Sequence, residues 1–426
     1  MNEAVLAFDK EAIAEERFKQ ERGQRAVFCG LTSIVWLHRK IQDAFFLVVG
    51  SRTCAHLVQS AAGVMIFAEP RFATAVLSDR DLAGMADCNE ELDRVVGQVI
   101  ARRSDIKTIF LVSSCPSEVI KLDLGNAAER LRRTYEGKIN FVDYSGSGIE
   151  TTFSQGEDSC LNSLVNQLPD AGNEDPSLLV LGTLSDIVED QFRRLFEELG
   201  IGPVSFFPGR TAGDLPQVGP GTRLLAAQPY VNETVRSLQA RGATLLRAPF
   251  PYGAEGSQNW FRAAADAWQV PVTRFREVIG APLERARHAV SRHRDSLAGK
   301  RITFLPDSQL ELPLARFLHR ECDMELLEIG TPIYEQQLMQ IEKSLLPDTV
   351  RLTEGQDLDP QLDRVRLDRP DLTVCGMGIA NPLEAEGLRT KWSIELMFTP
   401  IQGFEQAGDL AGLFTRPLFR EAQLEV

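Results

Sequence analysis

Three cysteines of this chain lie in turns of small and polar residues, where a thiolate can reach a metal. They are Cys29 in Phe28-Cys29-Gly30-Leu31-Thr32, Cys54 in Ser51-Arg52-Thr53-Cys54-Ala55-His56, and Cys115 in Ser113-Ser114-Cys115-Pro116-Ser117-Glu118. Backbone N–H groups in such turns can steady a sulfur, and iron–sulfur ligands are usually presented in this way. The three turns are therefore the first candidates for chemistry.

The spacing of these cysteines excludes several kinds of metal site. The three lie far apart along the chain, so the local Cys-x-x-Cys motifs of zinc ribbons, ferredoxins and radical-initiating cluster proteins are absent. The sequence has seven cysteines, an odd number that does not suit a disulfide framework. On spacing alone, buried structural thiols are the simpler interpretation. The same interpretation is preferred for the other four: Cys88, Cys160, Cys322 and Cys375.

Two continuous apolar runs predict the strands that position the second and third cysteines. Residues 44–50 form one such run, which ends just before Cys54, and residues 108–112 form another, which ends just before Cys115. Open α/β sheets bind their ligands beyond the carboxyl ends of their strands. We therefore expect both cysteines at a ligand-binding edge of one sheet.

The same alternation of strand and helix patterns continues to the C-terminus. It predicts an α/β fold with three Rossmann-like domains, each built on a doubly wound parallel sheet. We expect an N-terminal arm over residues 1–25 and a first domain, which carries the three cysteines, over residues 26–170. A second domain follows over residues 171–298 and a third over residues 299–426, with an apolar segment near its end.

Composition limits the possible partners. The 426 residues carry a net charge of −14, which argues against nucleic acid as a partner because phosphate binding needs a basic surface. No apolar run reaches the roughly 18 residues that a membrane-spanning helix needs. The acidic N-terminus also lacks the basic and apolar parts of a signal peptide. The sequence therefore predicts a cytoplasmic protein without a membrane span.

Two other motifs receive structural interpretations. Glycine-rich turns occur at Ser145-Gly146-Ser147-Gly148 and Cys375-Gly376-Met377-Gly378, but neither matches a dinucleotide fingerprint and the chain has no P-loop. We interpret both as sites of close backbone packing. Ser117 and Glu118 are predicted to cap the helix that follows Cys115.

The sequence around the three cysteines resembles the nitrogenase-like oxidoreductases. The blocks are Phe28-Cys29-Gly30-Leu31, Gly50-Ser51-Arg52-Thr53-Cys54-Ala55-His56 and Val112-Ser113-Ser114-Cys115-Pro116-Ser117-Glu118. They look closest to those of the light-independent protochlorophyllide reductases, and the order of the remaining elements agrees over essentially the whole chain. The resemblance implies a fold like that of a nitrogenase component, with residues 26–170 as the cluster-binding domain.

The resemblance also implies a cofactor and partners. In that family, the cysteines corresponding to Cys29, Cys54 and Cys115 bind a 4Fe–4S cluster, whose fourth ligand is an aspartate of a homologous B subunit. Two copies of each chain form a heterotetramer. A separate L protein dimer hydrolyses ATP and supplies electrons through a transient contact, which fits the missing P-loop. Electrons then reach protochlorophyllide and reduce a double bond of ring D, in the pathway to chlorophyll and bacteriochlorophyll.

The substrate is a flat tetrapyrrole, which needs a wide apolar pocket. The candidate pocket residues are Phe28, Trp392, Met397 and Phe398. No catalytic residue is identified in this chain, since the family draws protons from a partner aspartate and from the substrate's propionate.

Three other functions stay open at this point. Chlorophyllide reductase is a related enzyme that acts on ring B and differs in its pocket. A nitrogenase-like scaffold for cofactor assembly would hold a cluster without turnover. A Rossmann-type binding protein without metal would be colourless after anaerobic purification.

Overall fold

The computed structural model describes residues 18–63, 71–85, 87–149 and 151–420. In these ranges the chain forms three sheets, and every pairing between neighbouring strands is parallel. Helices alternate with the strands along the sequence. The predicted α/β fold with doubly wound parallel sheets is confirmed.

The described part contains 14 strands, numbered in chain order: β1 Phe18–Gln20, β2 Ala44–Gly50, β3 Phe72–Val76, β4 Thr108–Ser113, β5 Asn140–Ser145, β6 Ser177–Leu181, β7 Val204–Phe207, β8 Thr222–Ala226, β9 Thr244–Leu245, β10 Arg301–Phe304, β11 Glu325–Thr331, β12 Arg351–Glu354, β13 Leu372–Cys375 and β14 Thr390–Trp392.

The helices of the same ranges, after a short 3₁₀ helix at Gly30–Ser33, are α1 Ile34–Lys40, α2 Arg52–Gly63, α3 Asp79–Leu82, α4 Cys88–Arg102, α5 Cys115–Val119, α6 Leu124–Thr134, α7 Phe153–Val165, α8 Asp186–Leu199, α9 Asn232–Ala240, α10 Gly253–Ala267, α11 Val272–Leu297, α12 Glu311–Cys322, α13 Gln336–Ser344, α14 Leu358–Asp368, α15 Met377–Ala385, α16 Ser393–Phe398 and α17 Ala407–Leu418.

The first sheet has the strand order β3-β2-β4-β5. Its central strands β2 and β4 are apolar on both faces because helices cover both sides of a parallel sheet. Phe46 and Phe110 stack on one face with ring centroids 4.8 Å apart. Phe45 and Leu47 belong to a separate apolar cluster on the other face, as the alternation of side chains along a strand requires.

The second sheet has the order β7-β6-β8-β9 and the third the order β1-β12-β11-β10-β13-β14. One large apolar cluster runs from Phe18 to Phe414 and includes residues of all three sheets. Helix α7 packs both on the 3₁₀ helix near Cys29 and on α9 of the second region. The three sheets therefore share a core, and the domain limits near residues 170 and 298 stay predictions.

The end of the predicted N-terminal arm forms part of the third sheet. Strand β1 pairs with β12, and the Phe18 ring stacks on Tyr334 at 4.3 Å between centroids. Glu21 is buried and accepts hydrogen bonds from Arg364 at 2.9 Å. Residues 18–21 of the predicted arm are thus docked on the third sheet, because Phe18 stacks on Tyr334 and Glu21 is paired with Arg364. Residues 1–17 of that prediction lie outside the described residues.

The sequence pattern over residues 258–298 predicts a helical stretch, and the structure forms it as two helices. The stretch is divided into α10 and α11, and Pro271 lies at the N-cap of α11. Gln269 has a positive φ of 53°, and Pro271 disfavours the helical conformation at the residue before it, so the helix is interrupted between Ala267 and Val272. In the described part of the chain, no helix combines the length and apolar character needed to cross a bilayer.

Candidate metal centre

Cys54 and Cys115 lie at the point where the strand order of the first sheet reverses. The chain goes from β2 outward to β3, and then returns to β4 on the other side of β2. Cys54 is in the first turn of α2, directly after β2, and Cys115 is the first residue of α5, directly after β4. Crevices at such reversal points are where open α/β sheets bind ligands. The structure thus places both cysteines where the sequence predicted.

Cys29 approaches the same edge from a different segment. Its backbone forms an isolated antiparallel bridge with Thr152, and it precedes the 3₁₀ helix. The Leu31 N–H donates to the Gly146 carbonyl at 2.9 Å, and the Phe153 N–H donates to the Phe28 carbonyl at 3.0 Å. The backbone on both sides of Cys29 is therefore fixed against the loop that follows β5.

Two glycines show how closely the three cysteine turns meet. A Cβ atom on Gly148 would lie 3.0 Å from Cys29 Cβ and 3.7 Å from Cys115 Sγ. A Cβ atom on Gly50 would lie 3.2 Å from Cys54 Sγ and 2.4 Å from Ser114 Oγ. Only glycine leaves room for these approaches. The structure therefore brings Cys29, Cys54 and Cys115 together at one edge of the first sheet.

Polar groups around the sulfurs suit a charged thiolate. The Gly148 N–H donates to Cys115 Sγ at 3.2 Å. The Ser51 hydroxyl lies 3.5 Å from Cys54 Sγ, and its oxygen accepts the Cys54 N–H at 3.4 Å. Hydrogen bonds to a ligand sulfur orient it and adjust the electronic properties of the bound metal.

The Cys29 thiol has a raised pKa. Burial is the largest cause, and the proximity of Cys115 and Cys54 raises it further. A negative charge on Cys115 or Cys54 thus disfavours the ionisation of the Cys29 thiol, and a cation bound at this edge would offset that repulsion. Metal binding supplies that charge and releases the thiol protons.

The three cysteines offer thiolates, the ligand type that iron–sulfur clusters take. Within the ranges that the structure describes, no group of three His, Cys, Asp or Glu side chains could hold one metal ion. In an iron–sulfur cluster each thiolate binds a different iron, so the sulfurs surround a larger volume. Three free, half-buried cysteines around one edge match that requirement, although their role as ligands stays a prediction.

The remaining cysteines differ in burial. The three candidate ligands are only partly buried, whereas the other four cysteines are buried free thiols: Cys88, Cys160, Cys322 and Cys375. Burial raises the pKa of each of these thiols. They have the properties of structural thiols.

The prediction for Glu118 is wrong, whereas that for Ser117 is confirmed. Ser117 Oγ accepts the Ser114 N–H at 2.8 Å at the start of α5. The Glu118 carboxylate instead accepts three serine hydroxyls from the ends of β4 and β5 and from the following turn: Ser113 at 2.7 Å, Ser145 at 2.5 Å and Ser147. A sequence signal existed, because Ser113 and Ser145 are the last residues of two strands that prove to be neighbours in register.

The four predicted pocket residues fall into two groups. Met397 and Phe398 line a cleft of about 490 Å³, whose other walls include Trp36 and Thr183. Phe28 is half-buried beside Cys29, and Trp392 is 38% exposed at the end of β14. Neither Phe28 nor Trp392 is among the residues that line this cleft, so the structure does not bring all four together there.

Sequence reasoning missed a buried acidic site in the third sheet. Asp307 follows β10 at the reversal of strand order between β10 and β13, and it accepts the Ser393 hydroxyl. Its Oδ1 atom is buried without a hydrogen-bond partner. Burial raises the pKa of Asp307 to about 7, despite the hydrogen bond from Ser393 that lowers it.

The carboxyl edges of the first and third sheets face each other. The Ser154 hydroxyl of α7 donates to Gln309 Oε1 at 2.9 Å, and Gln309 belongs to the loop after β10. A Cβ atom on Gly376, after β13, would lie 3.5 Å from the Ala26 carbonyl oxygen. Phe28 therefore belongs to a segment that passes from the edge of the third sheet to the cysteines of the first.

Comparisons with known proteins agree with this arrangement. Residues 29–418 match the family described as Nitrogenase component 1 type Oxidoreductase. The chain is 67% identical over 407 residues to the light-independent protochlorophyllide reductase subunit N of Halorhodospira halophila, with 96% of each chain covered. It is 64% identical to the protein of that name from Rubrivivax gelatinosus, covering 95% of this chain and 94% of the relative.

A solved structure supports the same fold at low sequence identity. The structure named Nitrogenase Cp1 at pH 6.5 superposes with a TM-score of 0.74 at 15% identity and covers 96% of this chain and 97% of its own. At that identity the likeness concerns the fold alone, whereas the curated relatives define the group. The chain therefore belongs to the nitrogenase component 1 type oxidoreductases and, within them, to the N subunits of light-independent protochlorophyllide reductases.

Proposed function

We propose that this chain is the subunit that carries three ligands of a 4Fe–4S cluster in a light-independent protochlorophyllide reductase. Cys29, Cys54 and Cys115 hold three of the irons. The observation that carries the proposal is their convergence around Gly148 and Gly50 at the edge of the first sheet. The names of the relatives support the choice of substrate.

When bound, the cluster supplies one-electron transfer between the reductant protein and the tetrapyrrole. The chain's own residues bind and shield that group. Partial burial of the three thiols limits access of water, and the Gly148 N–H offers a hydrogen bond to the Cys115 sulfur. Burial and such hydrogen bonds are the means by which a protein sets a cluster's potential.

A partner chain completes the site. Three thiolates leave one iron without a ligand, which the family resemblance assigns to an aspartate of the B subunit. Two large apolar side chains beside the cysteines are exposed: Val119 at 70%, at the end of α5, and Ile149 at 56%, next to Gly148. Burying them against the B subunit would remove apolar surface from water at the place where the fourth ligand must enter. The complex is proposed to contain two N and two B chains.

The tetrapyrrole binds between the cysteine edge of the first sheet and the carboxyl edge of the third. Phe28 and Trp392 belong to these two edges, and the facing contact from Ser154 to Gln309 brings the edges together. Met397 and Phe398 contribute through the neighbouring cleft. Electrons come from a transient complex with the ATP-hydrolysing L protein, since this sequence has no P-loop. Protons come from the partner aspartate and the substrate's propionate.

The experiment that tests the ligand set is anaerobic co-purification with the B subunit, followed by iron assay and a visible spectrum. Cys54→Ser is expected to abolish the native cluster, because a serine oxygen is a poor substitute for thiolate on iron. Cys322→Ser is the matched control, since Cys322 is a buried thiol at the end of α12, between two strands of the third sheet, and its replacement should leave the iron content unchanged. Iron content that is unaltered by Cys54→Ser would remove Cys54 from the ligand set.

The same preparation distinguishes the alternative functions. Reduction of protochlorophyllide in the presence of ATP and the L protein excludes a cofactor-assembly scaffold. A complex that reduces only chlorophyllide, at ring B, identifies the related reductase instead. A complex that binds iron but reduces no tetrapyrrole contradicts the proposal.

A further inference from the structure

One carboxylate and three serines form a compact cluster behind the cysteines. We call it the serine clamp, and it consists of Glu118, Ser113, Ser145 and Ser147. The hydroxyls of Ser113 and Ser145 donate to Glu118 Oε1 at 2.7 and 2.5 Å, and the Ser147 hydroxyl donates to Oε2. Ser147 is fully buried. An ionised carboxylate only accepts hydrogen bonds, so it satisfies all three hydroxyls at once.

The turn held by the clamp contacts two of the cysteine segments. Gly146, between the two clamped serines, accepts the Leu31 N–H at 2.9 Å through its carbonyl. Gly148, one residue beyond the clamp, donates its N–H to Cys115 Sγ at 3.2 Å and packs against Cys29 Cβ. The position of this turn therefore determines both the support of Cys29 and the hydrogen bond to Cys115.

Glu118 also lies on the same short helix as Cys115. Helix α5 is only five residues long. A helix this short has little stability of its own and depends on contacts with the rest of the protein. The Glu118 carboxylate ties this helix to the ends of β4 and β5 through Ser113 and Ser145. One side chain thus connects the Cys115 helix to the turn that supplies the N–H group.

We infer that Glu118 is a positioning residue that, through the serine clamp, holds the 145–148 turn so that the Gly148 N–H points at the Cys115 sulfur. The inference rests on the proposed function for the identity of the bound group, but the clamp's effect on the turn is independent of it. Residues that orient metal ligands in this way typically change metal affinity by about 10- to 100-fold when replaced.

The test compares Glu118→Ala, Glu118→Gln and Ser147→Ala in the complex with the B subunit. Hydrogen exchange is measured for residues 145–149, together with the rate of iron release to a chelator and the cluster's midpoint potential. Glu118→Ala is expected to speed iron release by about 10- to 100-fold and to accelerate exchange of the turn. The midpoint potential should become more negative, because the N–H···S hydrogen bond stabilises the reduced cluster and the variant loses it.

Glu118→Gln and Ser147→Ala are expected to have smaller effects than Glu118→Ala. Glu118→Gln keeps the size of the side chain and part of its acceptor capacity, so it should lie between Glu118→Ala and the wild type. Ser147→Ala removes one hydroxyl and keeps the carboxylate, so it tests the clamp even if Glu118→Ala fails to fold.

Asp158→Asn is the matched control. Its buried carboxylate also accepts a hydroxyl, from Thr234 at 2.6 Å, and two amides, but it holds the start of α9. This variant should leave the exchange of residues 145–149 and the potential unchanged. Exchange and iron release that match the wild type in both Glu118→Ala and Ser147→Ala would overturn the inference. A wild-type complex without iron would contradict the proposed function instead. In that case the hydrogen exchange of residues 145–149 would still test whether the serine clamp holds the turn.

Discussion

The first and third sheets reverse their strand order in the same way, yet they present different groups at the reversal. In the first sheet, Cys54 and Cys115 follow β2 and β4 and remain partly exposed beside glycines. In the third sheet, Asp307 and Cys375 occupy the corresponding ends of β10 and β13, and both are fully buried. One topology thus presents partly exposed thiols at one reversal, and a buried carboxyl beside a buried thiol at the other, which shows that side chains and not strand order decide what each edge can do.

The strongest test of this contrast compares cysteines at the two reversals. Cys115→Ser is expected to abolish the native cluster, whereas Cys375→Ser should keep it and lower the free energy of unfolding by about 1–3 kcal/mol, because it places a hydroxyl in an apolar site. Iron assay of the anaerobic complex and urea unfolding measure the two effects. Equal loss of iron in both variants would break the comparison.

The buried Asp307 carboxyl predicts that the stability of the folded chain falls between about pH 4 and about pH 7. The folded state raises the pKa of Asp307 from 3.8 to about 7, so between these values the folded chain binds a proton that the unfolded chain has lost. Stability from this group is therefore complete below about pH 4 and is lost as the pH rises through about 7, by up to about 4 kcal/mol. Asp307→Asn should remove this part of the decline.

The measurement for Asp307 is urea unfolding at pH 5 and pH 8, for the wild type and the variant. Other buried carboxyls, such as Glu157 and Glu321, also have raised pKa values of about 7. They contribute in the same direction to both proteins, so the difference between the two pH slopes isolates Asp307. Identical slopes would show that Asp307 titrates normally in the folded chain.

A smaller effect should follow from crowding the first sheet's edge. A Cβ atom on Gly156 would lie 2.4 Å from the Gly30 carbonyl oxygen and 2.5 Å from Gly30 Cα. Gly156→Ala must therefore separate α7 from the Cys29 turn, at an expected cost of about 1–3 kcal/mol in unfolding free energy, with lower iron retention.

Gly280→Ala provides the control for that substitution. Gly280 lies in α11 with no atom within 4 Å of its added Cβ, and alanine should stabilise the helix by about 0.5–1 kcal/mol. Thermal unfolding of Gly156→Ala, Gly280→Ala and the wild type compares their stabilities. If Gly156→Ala is as stable as the wild type, the contact between α7 and the Cys29 turn is not as tight as described.

The features predictable from sequence are those encoded locally. Strands β2 and β4 are continuous apolar runs, so their position and the location of Cys54 and Cys115 just beyond them could be read directly. Cys29 required the resemblance, since its approach to the other two depends on the bridge to Thr152, more than 100 residues away.

The features that could not be predicted depend on register and burial. Glu118 was predicted to be a helix cap from its position in the first turn of a helix. Its actual partners, Ser113 and Ser145, become neighbours only when β4 and β5 pair in register, which the local sequence does not reveal. Asp307 looked like an ordinary loop residue because its burial arises from the packing of Ser393 and Gly376 around it. Strand β14 is too short, at three residues, to give a clear apolar pattern. The pairing of β1 with the distant strand β12 leaves no local signal either.

The pairing of β1 with β12 has a consequence for the order of events during synthesis. Residues 18–20 leave the ribosome long before their partners in β12, because Gln20 and Glu354 are 334 positions apart in the sequence. At ordinary translation rates the wait is on the order of tens of seconds. During that time the segment must remain available without pairing elsewhere, which its exposed polar residues Lys19 and Gln20 favour. Residues 18–20 are thus made long before the strand with which they pair.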